Sequence, residues 1–88
     1  MPTISMFYGI LVRMYAENGG QHNTPHLHAS VGGQEVVVAL DGTILEGEIP
    51  KAKMHLLIAW MEIHRDELYA NWQLLSNGEG AYKIDPLR

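Results

Sequence analysis

Apolar residues recur with two different periods along this chain, one in each half. Residues 5–15, Ser-Met-Phe-Tyr-Gly-Ile-Leu-Val-Arg-Met-Tyr, are dense in β-branched, aromatic and other apolar side chains, which predicts a first strand. A Gly-, Asn- and Gln-containing connection from Glu17 to Thr24 ends it. Three short strands are expected at 26–31, 34–40 and 43–49, where apolar and polar residues alternate. They are separated by Gly32-Gly33 and Asp41-Gly42, dipeptides that supply the positive φ of tight hairpin turns. From Pro50 the spacing becomes three and four: Met54, Leu57, Ile58, Met61, Leu68, Trp72 and Leu75 predict one helix over 50–77, ending near Asn77-Gly78. A tail over 78–88 follows, with Tyr82 to Leu87 placed to add an edge strand.

The expected architecture is therefore α+β: a four-stranded antiparallel meander over 5–49, then one long C-terminal helix packed on one sheet face, in a single domain of 88 residues. Two-residue turns fix the register. Val31 then faces Gln34, Ala29 faces Val36 and Leu27 faces Val38, while Leu40 faces Thr43 and Val38 faces Leu45. One sheet face is nearly all apolar and suits the helix. The other collects His26, His28, Ser30, Glu35, Val37, Ala39, Ile44, Glu46 and Glu48.

That second face carries the chemistry. In this register Glu35 lies across from Glu48, a like-charge pair that calls for a nearby cation. Arg13, a protonated His28 diagonal to Glu35, or a divalent metal could supply it. His26 and His28, alternate residues of one strand, are candidate metal ligands with Glu35. They are also candidates for an acid–base pair completed by His64 and Arg13, and the plainest alternative is a solvated strand face that has no task. His64 falls at the border of the helical apolar stripe, where a hydrogen-bonded histidine at the helix edge competes with a ring that joins His26 or His28. His22 and His55 have weaker cases, one in a loop and the other on the solvent side of the helix.

Composition narrows the field. With no cysteine, disulfides and thiolate metal sites are excluded, and any metal must be held by imidazole and carboxylate. No apolar run approaches the roughly 20 residues that span a bilayer, and Met1-Pro2-Thr3-Ile4 lacks the cationic and apolar regions of a signal peptide, so a cytoplasmic protein with no membrane partner is expected. The net charge is -4, and it is uneven: residues 1–50 set Arg13 against five carboxylates, whereas residues 51–88 balance. Broad nucleic-acid binding is disfavoured, because such proteins display a basic patch. A DNA-binding regulator is weaker still, since no helix-turn-helix is found.

The start Met1-Pro2-Thr3-Ile4-Ser5 with Phe7-Tyr8-Gly9, then Arg13-Met14-Tyr15, Pro25-His26-Leu27-His28-Ala29, the helix residues Trp60, His64, Glu67-Leu68 and Asn71-Trp72, and the closing Lys83-Ile84-Asp85-Pro86-Leu87 resemble the bacterial domain-of-unknown-function family 4160. The chain departs at Thr24, where a second proline is common, and at Leu27, where an aromatic is common. The resemblance implies a small protein paired with a partner resembling domain-of-unknown-function family 2442, in an arrangement like a toxin–antitoxin module. It also brings forward His26, His28, His64 and Arg13 as family-pattern positions.

Three functions follow. The leading one is the toxin-like member of such a module, acting through a cognate small protein partner and through hydrolysis at His26, His28, His64 and Arg13, with Arg13 stabilising developing negative charge. The second is a non-catalytic protein-binding module, and the third a His/carboxylate metal-binding domain that takes a divalent ion. A homo-oligomer is compatible with a core this small.

Overall fold

The computed structural model of the chain describes residues 3–15 and 24–88. Five strands, β1 (Thr3–Phe7), β2 (Ile10–Arg13), β3 (His26–Val31), β4 (Gln34–Ala39) and β5 (Ile44–Gly47), form one antiparallel sheet in sequential order. Two helices follow, α1 (Lys51–Ile63) and α2 (Arg65–Ser76). The α+β architecture and the meander stand, but five strands replace the expected four and two helices replace the expected one.

The extra strand arises at Tyr8-Gly9. Both residues hold positive φ, 49° and 79°, which is the two-residue turn that matches strand twist. Tyrosine seldom takes that conformation, and the turn is braced from outside: the Lys53 ammonium of α1 donates to the Tyr8 carbonyl. The dense apolar run 5–15 therefore folds back on itself, pairing Phe7 with Ile10 and Met6 with Leu11.

Helix continuity breaks at His64, whose φ of -107° and ψ of 26° leave the helical region. Its own N–H still donates to Trp60 and its carbonyl still accepts from Leu68, so the chain bends without unwinding. Asp66 and Glu67 then occupy the first turn of α2, where carboxylates complement the helix dipole. At the far end Gly78, with φ of 80°, terminates α2: its N–H reaches Leu75, and the Glu79 N–H reaches Leu74.

The β3–β4 register is as expected, with Val31 opposite Gln34, Ala29 opposite Val36 and Leu27 opposite Val38. The second hairpin differs near its turn. Ala39 donates to the Thr43 carbonyl around a three-residue loop, Asp41 caps that loop by accepting from the Thr43 N–H, and Val38 faces Ile44 instead of Leu45. Leu45 is then the extra residue of a bulge, which shifts the register back so that Val37 faces Glu46 and Val36 faces Gly47. Two one-residue offsets cancel.

The core lies between the sheet and the helices. Val12, Leu27, Ala29, Val36 and Val38 face Leu57, Trp60, Met61 and Leu68, all buried. The tail completes it: Ile84 is 5% exposed and its N–H donates to Ile4, the extra residue of a bulge in β1. This single ladder bond is what remains of the expected edge strand. No described helix is long and apolar enough to cross a membrane.

Two predictions follow from the hairpin. A Cβ on Gly47 would sit 2.2 Å from the Glu35 carbonyl oxygen at a φ of 75°. Gly47→Ala is expected to lower unfolding stability by about 2 kcal/mol or more, whereas Gly33→Ala, with nothing within 4 Å, should stay within about 1 kcal/mol in the same denaturant titration. Bonding from Thr43 holds the Asp41 carboxyl below its ordinary 3.8. A carboxyl depressed on folding contributes above its unfolded value, and that contribution disappears as pH falls through the folded one. Asp41→Asn should therefore lose less stability than the parent chain on acidification below pH 3.8.

Candidate functional site

Alternation along β3 sends His26 and His28 to one face and Leu27 and Ala29 to the other, and α2 reaches the histidine face through Trp72. Their depth is another matter. His26 is completely buried, and Val37 and Ala39 on the same face are buried too. This face is no exposed polar surface at its centre, and the twin imidazoles do not point into open solvent.

The His26 ring is fixed from several sides. Its Nδ1 lies 2.7 Å from the Thr24 carbonyl oxygen. A carbonyl only accepts, so Nδ1 carries the proton and a neutral ring leaves Nε2 as its lone-pair nitrogen. The ring centroid lies 5.3 Å from that of His28 and 5.1 Å from that of Trp72 on α2. His28 in turn stacks on Tyr15 at 4.8 Å and 18°. Four rings, Tyr15, His28, His26 and Trp72, therefore stand in a continuous row from the end of β2 to α2.

Charge enters the row through His28. Its Nδ1 lies 3.6 Å from Glu35 Oε1, an ion pair when His28 is protonated; the Glu35 side chain is 53% exposed, so the pair is well screened. Arg13 is the Cα partner of His28 on β2, which places both on one face. The other suspected acid, Glu48, donates its N–H to the Glu35 carbonyl as the register implies. The backbone turns at Gly47, however, and Glu48 lines a groove with Val36, Ile44 and Met54 on the helical side. Ile44, expected on the histidine face, belongs to that groove as well because of the shifted register.

His64 has its contacts elsewhere. Its Nδ1 lies 2.6 Å from Glu67 Oε1, and its ring packs 5.6 Å from Trp60. This is the hydrogen-bonded histidine at the helix edge, located at the α1–α2 bend. His55 is exposed on α1, while His22 and most of the Glu17–Thr24 connection lie outside the described residues. Among the described residues no group of three or more His, Asp or Glu is placed to hold a metal ion.

One family model matches residues 9–73, a span that holds Arg13, the His26–His28 pair and Trp60, His64, Asn71 and Trp72 along the helices. The chain belongs to the domain-of-unknown-function family DUF4160. No curated protein and no solved structure matches it. The DUF4160 match runs from the β1–β2 turn into α2 and contains the whole ring row, with His64 and Arg13.

Two members of the row escaped sequence reasoning. Tyr15 shares the parity of Arg13 and could have been placed on the histidine face by alternation alone. Trp72 comes from another element, so only tertiary packing reveals it. A direct consequence is that the two histidines of the DUF4160 chain are unequal. His26→Ala empties a fully buried site and is expected to lower stability by about 2–4 kcal/mol. His28→Ala, whose native side chain is 12% exposed, should lower it by about 1–2 kcal/mol; urea unfolding of both variants reads the difference.

Proposed function

We propose that this DUF4160 protein is the toxin-like member of a two-protein module, and that it works by docking its cognate small protein on the histidine-bearing sheet face. One observation carries the reading: the ring row is an interior scaffold beneath an accessible, mixed surface. Alongside the buried His26, the Met6–Leu11–Ser30–Glu35 row crosses four strands on the same face. Met6 is 66% exposed and Glu35 is exposed, while Leu11 and Ser30 are half-buried. A row that runs from an exposed apolar residue to an exposed carboxylate suits a protein contact. Histidines packed ring against ring are less suited to exchanging protons with a substrate, which needs each imidazole within reach of the reacting atoms.

The cognate partner implied by the family resemblance is the small protein resembling domain-of-unknown-function family 2442. Co-expression of the two, followed by size exclusion and calorimetry, should give a stoichiometric complex. Met6→Glu and Glu35→Lys are each expected to weaken it by about tenfold or more with the fold intact by circular dichroism. Affinity unchanged in both variants would remove this face from the interaction.

One observation favours a second reading, hydrolysis of a phosphodiester. His28 sits between Glu35 at 3.6 Å and Arg13 on the adjoining strand, which offers a proton acceptor and a cation on one face. Purified protein assayed on RNA beside His28→Ala tests it: activity lost in the variant supports hydrolysis, and equal rates dismiss it.

A further inference from the structure

The tail after α2 is held as an extended peptide is held in a groove. Asn71, 2% exposed, grips the backbone of Tyr82 from both sides: its Nδ2 donates to the Tyr82 carbonyl at 2.8 Å, and its Oδ1 accepts from the Tyr82 N–H at 2.9 Å. The buried Trp60 indole N–H donates to the Asp85 carbonyl at 2.7 Å. The Ile84 N–H reaches the Ile4 carbonyl at 2.8 Å on the outer edge of β1. All four bonds are made to the main chain of the tail. Side-chain selection comes from apolar anchors spaced by three, with Ile84 buried and Ala81 and Leu87 packed against the core. Tyr82, by contrast, is 73% exposed.

Backbone bonds with a spaced apolar anchor are the means by which domains bind extended segments of other chains. Here the tail also leaves room around itself. A groove of about 420 Å³ opens between the tail and α2 beside Asn71, Gln73 and Leu74, and one of about 310 Å³ between the tail and β1 beside Ile4 and Met6. The link to α2 is short and glycine-bearing, Asn77-Gly78-Glu79-Gly80, and nothing lies within 4 Å of a Cβ built on Gly78 or Gly80.

We propose that the groove between α2 and β1 is an extended-peptide-binding site, filled in cis by residues 81–87 and open in trans to the same segment of a second copy. The commitment to a second copy rests on fit: the anchors and backbone of 81–87 match the groove by construction, and the exposed link lets the segment leave one chain and enter another. The histidine face plays no part in it.

Two measurements on full-length chains test the proposal. In an Ile84→Ser chain the cis tail loses its anchor, so a fluorescent peptide with the native sequence of residues 79–88 should bind saturably and raise the melting temperature. The same peptide should bind the parent chain at least about tenfold more weakly, because the tethered tail competes at high effective concentration. A peptide carrying Ile84→Ser should not bind either chain. Absence of saturable binding to a folded Ile84→Ser chain overturns the proposal.

The second measurement keeps the anchor in place. The chain has no cysteine, and Gln73 and Lys83 line the same groove. A Gln73→Cys chain and a Lys83→Cys chain mixed at about 1 mM under mild oxidation should form a mixed disulfide at least about tenfold faster than Lys83→Cys with Glu62→Cys, whose cysteine lies outside the groove. Equal rates for the two mixtures overturn trans occupancy, whatever the fate of the Ile84 variant.

Discussion

The Trp60 indole joins three parts of the chain. Its ring packs 5.1 Å from Phe7 at the end of β1 and 5.6 Å from His64 at the helix bend, and its N–H is satisfied by Asp85 in the tail. A buried indole requires a partner for that N–H, and the sheet face beneath it is apolar apart from the buried Ser5. The acceptor comes from the tail, which is laid along the edge of the sheet. Packing of the helices on the sheet and seating of the tail are thus one constraint, and the main-chain bonds of Asn71 extend it along the tail.

Much of the sheet was legible because each hairpin signal was local. Gly32-Gly33 set the β3–β4 register outright. In the next hairpin the two-residue turn was wrong in detail, yet the pairing far from the turn held because the bulge at Leu45 undid the offset of the longer loop. The missed strand break had only Gly9 as a signal, since a tyrosine at positive φ contradicts its own preference and is held there by Lys53, far along the sequence. At His64 the apolar spacing carries through the bend, so periodicity alone reads one helix. The break is written in Asp66-Glu67, a pair of first-turn carboxylates that periodicity ignores.

The candidate site shows the same division. Alternation gave the shared face of His26 and His28, the parity of Arg13 and the nearness of His28 to Glu35. It gave sides but not depth. A strand pattern cannot distinguish a residue at the open rim of a sheet from one under other elements, and His26 belongs to the second kind. The His26 ring meets two other rings, His28 and Trp72, and His28 meets Tyr15; Tyr15 and Trp72 lie 11 and 46 residues from His26 along the chain, beyond the reach of a strand pattern.

β1 is where the two surfaces meet. Met6 stands on the histidine face opposite Leu11, and it also borders the groove between β1 and the tail. β1 is an edge strand, irregular at Ile4, and its outer side is bonded through that residue to Ile84. An edge strand with one ladder bond on its outer side is among the more easily displaced parts of a sheet. Anything that replaces the tail must make the Ile4 bond or leave it unmade, and a shift of β1 carries Met6 with it. Met6 is therefore one residue that the histidine face and the groove beside the tail have in common.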